Sequence, residues 1–185
     1  MKTSLLTGEV QPLQSVTIDG DIVDGMCEGY YMLKYQNNHD IPIECTFKFP
    51  LPTGICATKF SVDFKGEYVE ALVSRDEDAR LEYDDAIASS NFAVLVQTDD
   101  ENVMNVDIGP LAPKESAELR VFFSTILAPL PDGYMLVLPT ALKTIAENTR
   151  QGKKQLQIGF QMRITDSNGI ESVRTPYTQS DISKE

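Results

Sequence analysis

Apolar side chains recur at every second position along most of this chain, and a backbone patterned that way buries them only as β-strands with one face turned inward. The cleanest run is Leu156, Ile158, Phe160, Met162 and Ile164, alternating with Gln155, Gln157, Gly159, Gln161 and Arg163. Phe60, Val62 and Phe64 alternate in the same way with Ser61, Asp63 and Lys65. Less regular runs cover residues 15–22, 30–36, 43–49, 68–73, 92–97, 104–108, 117–125 and 134–138. Lys65-Gly66-Glu67 and Ser167-Asn168-Gly169 read as hairpin turns, where glycine supplies positive φ without steric cost, and Pro131-Asp132-Gly133 reads as a turn before Tyr134. About ten short strands with frequent turn signals predict an all-β, antiparallel sandwich or barrel.

One segment departs from period two. Ala79, Tyr83, Ala86 and Ile87 are spaced as one face of a helix, predicted over residues 75–89. Ser74 and Glu77 form a capping box at its start, and Asp76, Glu77 and Asp78 place negative charge at the positive end of the helix dipole. Pro50 and Pro52 cannot donate ladder hydrogen bonds, so the third strand is expected to stop or reach a sheet edge there. Residues 140–154 read as a long exposed connection before a last strand pair, and the polar stretch 177–185 as a tail or linker toward a following domain. No internal repeat or low-complexity tract is present.

Composition narrows the function classes. The 185 residues are 42% hydrophobic and 24% charged, enough to bury a core without a metal or disulfide staple. A net charge of −12 disfavours nucleic acid and anionic membranes as partners, and the one basic cluster, Arg150, Lys153 and Lys154, is too small to reverse that. Eleven acidic and two basic side chains fall within 70–107, so the acid concentrates in one region. Asp76, Asp78, Asp99, Asp100 and Glu101 are the candidate contacts there for a protein partner, weighed against a merely solvated face. Cys27, Cys45 and Cys56 form an odd set without CxxC spacing and read as three reduced core thiols, although Cys27 and Cys45 could pair and leave one free. The first residues lack a signal-peptide stretch and no run approaches a membrane span, so a soluble, cytoplasmic protein is expected.

The catalytic inventory is thin, and no catalytic residue, metal ligand or cofactor site is assigned. His39, the only histidine, sits in the turn-like Asn37-Asn38-His39-Asp40 and reads as a solvated loop residue ahead of a hydrolase base. No nucleophile elbow, phosphate loop or dinucleotide fingerprint appears. Asp76-Glu77-Asp78 and Asp99-Asp100-Glu101 lack the spacing of an EF-hand, and Asp19-Gly20-Asp21 and Asp166-Ser167-Asn168-Gly169 read as turns. The alternative function is therefore a calcium- or ligand-binding β-sandwich using acidic loops.

Four stretches resemble the VIT (vault protein inter-alpha-trypsin) domain family, between about Gly8 and Pro176. Phe47-Lys48-Phe49-Pro50-Leu51-Pro52, followed by Phe60, is similar to the family's strand ending in Pro-Leu-Pro. Asp78-Ala79-Arg80-Leu81-Glu82-Tyr83-Asp84-Asp85-Ala86 resembles its Glu-Ala-Arg-x-x-Tyr-x-x-Ala helix, the most specific match. Met104 through Ile108-Gly109-Pro110-Leu111-Ala112-Pro113-Lys114-Glu115 resembles Phe-x-x-x-Val-Gly-Asn-Ile-x-Pro-Gly-Glu, and Tyr134 through Leu138-Pro139 resembles Tyr-x-x-x-Leu-Pro. The chain departs from the pattern at Met104 (an aromatic in the family), Pro110 (Asn), Lys114 (Gly) and Phe123 (Tyr), and has no histidine near Pro176.

The resemblance implies a β-sandwich with one inserted helix over 1–176, with structural rather than ligand roles for Phe47, Phe49, Pro50, Leu51, Pro52, Phe60, Ala79, Arg80, Tyr83, Ala86, Gly109, Pro113 and Pro139. It also implies a non-enzymatic interaction or assembly module at the N-terminus of a larger protein, partnered by a von Willebrand A domain whose Asp-x-Ser-x-Ser motif this chain lacks. Without a signal-peptide stretch, the chain resembles the intracellular rather than the secreted branch of the family.

Overall fold

The computed structural model describes residues 13–50, 54–71, 84–89, 93–98, 103–139 and 157–176. Its strands are β1 (Leu13–Val23), β2 (Met26–Gln36), β3 (Ile43–Pro50), β4 (Ile55–Phe64), β5 (Glu67–Ala71), β6 (Ala93–Thr98), β7 (Val103–Leu111), β8 (Ser116–Ile126), β9 (Ala128–Leu130), β10 (Gly133–Met135) and β11 (Gln157–Thr165). A six-stranded sheet runs β11-β1-β2-β8-β4-β5, a three-stranded sheet runs β3-β7-β6, and β9 with β10 forms a short ribbon. The fold is all-β with one short helix, as expected. One pairing departs from the antiparallel expectation: β1 and β11 are parallel, with Ser15 to Val23 matched to Gln157 to Thr165.

Alternation does the folding work in the central strands. The odd positions of β8, from Ala117 to Thr125, are buried, and the even ones are half-exposed or exposed. Each buried position continues sideways into a row across the inner face: Leu119 meets Leu33 and Val62, Val121 meets Tyr31 and Phe60, and Phe123 meets Gly29 and Ala57. Met104, Val106, Ile108 and Leu111 of the second sheet join the same apolar cluster, which makes the two sheets a sandwich around one core. The Tyr31 and Phe123 rings pack with centroids 5.4 Å apart.

Two glycines make the central row close. A Cβ on Gly29 would lie 2.4 Å from the Asp19 carbonyl oxygen, and its register partner Gly20 leaves room for the Met162 sulfur. Asp19-Gly20-Asp21 is therefore not the turn expected from its composition but the middle of β1. The real turn is Asp24-Gly25, both with positive φ, which joins β1 to β2. Lys65-Gly66 joins β4 to β5 as expected. The turn at Asp166 also forms, with the Gly169 amide donating to the Asp166 carbonyl, yet no strand follows it, so the expected hairpin and last strand pair are absent from the described residues.

Asn37 ties the β2–β3 connection to the β7–β8 turn. It is fully buried; its Nδ2 donates to the carbonyls of Ile41 and Leu111, each at 2.8 Å, while Oδ1 accepts from the His39 amide. Its backbone amide donates to Glu115 and its carbonyl accepts from Lys114. Lys114, where the resembled pattern has glycine, holds φ at 68°, the left-handed geometry that glycine adopts without strain.

Candidate interaction surface

The six-stranded sheet ends on one side at β11, whose apolar positions extend the inner-face rows by one strand. Ile158 is level with Val16, Phe160 with Ile18, Met162 with Gly20 and Ile164 with Ile22. Burial stops abruptly between the two strands: Val16, Ile18 and Ile22 are 2%, 3% and 7% exposed, whereas Ile158, Phe160 and Ile164 are 45%, 44% and 37% exposed. Met162 packs against the core, because Gly20 offers its sulfur a space without a side chain.

On the outer face β11 is held to β1 by charge. Arg163 donates from Nε to Asp21 Oδ1 at 2.6 Å and from Nη2 to Asp21 Oδ2 at 2.9 Å, and Nη2 also reaches Asp19 Oδ1 at 3.2 Å. The hydrogen bonds from Arg163 hold the Asp21 carboxyl below its usual range, and Asp21 in turn raises the Arg163 guanidinium. At the end of β11 the Asp24 amide donates to the Thr165 carbonyl, and Asp24 Oδ1 accepts from the Ser167 amide. This end of the sheet also exposes Val23, Met26 and Ile126, a lateral row on the outer face, together with Leu130 and Tyr134 of the ribbon.

The opposite edge is of another kind. β5 has five residues, including Glu67 and Glu70. Glu70 pairs with Lys59 of β4, which lowers the carboxyl and raises the ammonium, and Lys59 lies 5.2 Å from the centre of the Phe122 ring.

The residues singled out by sequence fall in several places. Phe60 is fully buried in the core. Phe47 and Phe49 are register partners of Val106 and Met104, and Pro50 closes β3, an edge strand, as expected. Gly109 is buried where a Cβ would stand 2.8 Å from the Glu44 side chain. Pro113 is exposed in the β7–β8 turn, and the Pro139 carbonyl accepts from the Tyr31 hydroxyl at 3.2 Å. Helix α1 is described over 84–88, where Ala86 and Ile87 are half-buried and Asp84 and Asp85 exposed. Leu51, Pro52, Asp76, Asp78, Ala79, Arg80, Tyr83, Asp99, Asp100 and Glu101 lie outside the described residues.

The thiols correct one expectation. Cys27 is buried and free, its pKa pushed up to about 11 by desolvation and by the nearby Asp21 and Glu28 charges, whereas Cys56 is free but exposed at the start of β4. Cys56 is thus not a core thiol; it is level with Ser124 of β8, an outward-facing position, so its side chain lies on the outer face of the sheet. Among the described residues no group of three or more His, Cys, Asp and Glu side chains is arranged to hold a metal ion, and no helix is long and apolar enough to cross a membrane. The β11 edge and the Arg163 clamp went unread in the sequence, although Asp19 and Asp21 two positions apart on one strand face, with an arginine on another strand, were a signal available for it.

The family model for the vault protein inter-alpha-trypsin domain matches residues 13–123. A von Willebrand factor A domain-containing protein of Dictyostelium discoideum is 28% identical over 123 residues, covering 66% of this chain and 13% of its own length. Protein mono-ADP-ribosyltransferase PARP4 of Homo sapiens is 26% identical over 136 residues, covering 74% of this chain and 8% of its own length. The von Willebrand factor A domain-containing protein 5A of Mus musculus is 23% identical over 192 residues, covering 94% of this chain and 24% of its own length. The chain thus spans a quarter or less of these three relatives, and with β1 to β7 and most of β8 inside the matched region it belongs to the vault protein inter-alpha-trypsin (VIT) domain family.

Proposed function

We propose that this chain is a non-enzymatic protein–protein interaction and assembly module that works in the cytoplasm beside a von Willebrand A domain of the same polypeptide. The observation that carries this reading is the pairing of a VIT match over 13–123 with relatives named for von Willebrand A domains, of which the chain covers only a small share. The concentration of acid in 70–107 supports a steering role for that segment, because rim charges set association rate more than final affinity.

The test uses this chain and a von Willebrand A domain from the same gene product as separate polypeptides, with binding followed by biolayer interferometry. Saturable association is expected, and its on-rate at low salt should fall when Asp76, Asp78, Asp99 and Asp100 are all replaced by Lys. Failure of the two domains to associate would overturn the reading. Association at an unchanged rate after the charge reversal would move the contact off the acidic segment.

A further inference from the structure

We propose that the β11 edge is a self-association site at which a second copy of this chain adds its own β11 in antiparallel pairing about a twofold axis at Gln161. Among the described residues no strand pairs with the far side of β11, which presents nine residues without a proline or an acidic side chain. Edge strands of that kind are templates for strand addition, and the common protections are shortness, charge and proline. β5 has the first two and β3 ends on a proline, while β11 has none of them beyond Arg163. The charge of Arg163 is engaged by Asp19 and Asp21 of β1, away from the free edge.

The register makes β11 complementary to itself. With Gln161 opposite Gln161 of the second copy, Ile158 falls opposite Ile164 and Phe160 opposite Met162, all on the inner face. The apolar rows that end half-exposed at β11 then continue into the rows of the other molecule. Gly159 falls opposite Arg163, so no like charges meet directly.

Charge also selects the occupant. In a chain of net charge −12, β11 carries no acid and one arginine, so two copies that meet along it bring no carboxylates of that strand into opposition. A basic partner strand would find no carboxylate on β11 to pair with. Dimerisation is therefore expected to strengthen as salt screens the remaining charge, the opposite of the response to a basic partner. This inference stands on the sheet edge and is independent of the proposed von Willebrand A partnership.

Sedimentation equilibrium of the full chain, at rising protein and salt concentration, should show a monomer–dimer equilibrium that shifts toward dimer with salt. Replacing Ile158 and Ile164 together by Lys sets lysine against lysine across the axis and should weaken the dimer at least about tenfold. Tyr68→Lys on the β5 edge should leave it unchanged. In a Cys56→Ser background, Gln161→Cys should crosslink under oxidation, because paired strands hold opposed Cα atoms within about 4.5–5.5 Å. Gly159→Cys should not, being about 13 Å from its counterpart. A monomer under all conditions, a dimer that the double-lysine variant leaves intact, or crosslinking at both positions equally would overturn the proposal. Should the double-lysine variant fail to fold, the crosslinking pair decides the question.

Discussion

β8 and β11 carry the same apolar alternation, and they end in opposite circumstances. β8 lies between β2 and β4 under the second sheet, so its inward positions are buried almost completely. Among the described residues β11 is flanked on one side only, and three of its four apolar positions remain more than a third exposed. The pattern states which face of a strand is apolar; the strand's neighbours decide whether that face is covered. Burial energy follows the neighbours, because the hydrophobic contribution scales with area removed from water.

The largest expected effects set the two strands against each other directly. Phe123→Ala, deep in the central row, should destabilise the fold by about 3–5 kcal/mol. Phe160→Ala should cost about 1 kcal/mol, since much of that ring remains in water. Urea midpoints of the two variants check this, and equal losses would show that β11 is as covered as β8.

A smaller contrast comes from glycine. Gly29→Ala would press a methyl group against the Asp19 carbonyl and should cost about 1–3 kcal/mol through overpacking. Gly159→Ala meets nothing within 4 Å and should instead stabilise by up to about 1 kcal/mol, by reducing the freedom of the unfolded chain. Opposite signs in thermal melts would support the contrast, and a loss at Gly159 would mean that β11 has a neighbour over that position.

The smallest effect concerns the clamp. Arg163 depresses the folded-state pKa of Asp21, so this contribution is complete above the ordinary aspartate range of about 3.9 and is lost as pH falls through the lower folded value. Arg163→Ala should return the Asp21 titration, followed by carboxyl-carbon NMR, toward the ordinary range and reduce the acid dependence of stability. Both groups are exposed, so the change is modest and shrinks with salt. An Asp21 titration that does not move would break the link between the two strands.

Much of the strand content was legible because period two is a local property. The runs at 15–22, 30–36, 43–49 and 117–125 all fall within strands, and the Phe60 run is the buried half of β4. Neighbour relations were not legible, since pairing β1 with β11 in parallel joins segments separated by most of the chain. Asp19-Gly20-Asp21 misled for a related reason: the glycine there serves the close approach of Gly29 across the sheet, which no local window contains. Asp24-Gly25, in contrast, was an ordinary hairpin signal between two apolar runs and could have been read. The Asn37 node left no trace in the pattern, because one buried asparagine among loop residues looks like any turn former.

The parallel pairing of β1 and β11 has a mechanical consequence. Parallel neighbours start at the same end of the sheet, so Leu13 and Thr165 stand at opposite ends of the shared ladder. Tension applied between those two points acts along the strands and loads the nine register pairs from Ser15 with Gln157 to Val23 with Thr165 together, in shear. An antiparallel closure would put the same pull across the ladder and open it one hydrogen bond at a time. In a longer polypeptide under strain, a module joined in this way transmits force along its first and last strands while the core behind them stays intact.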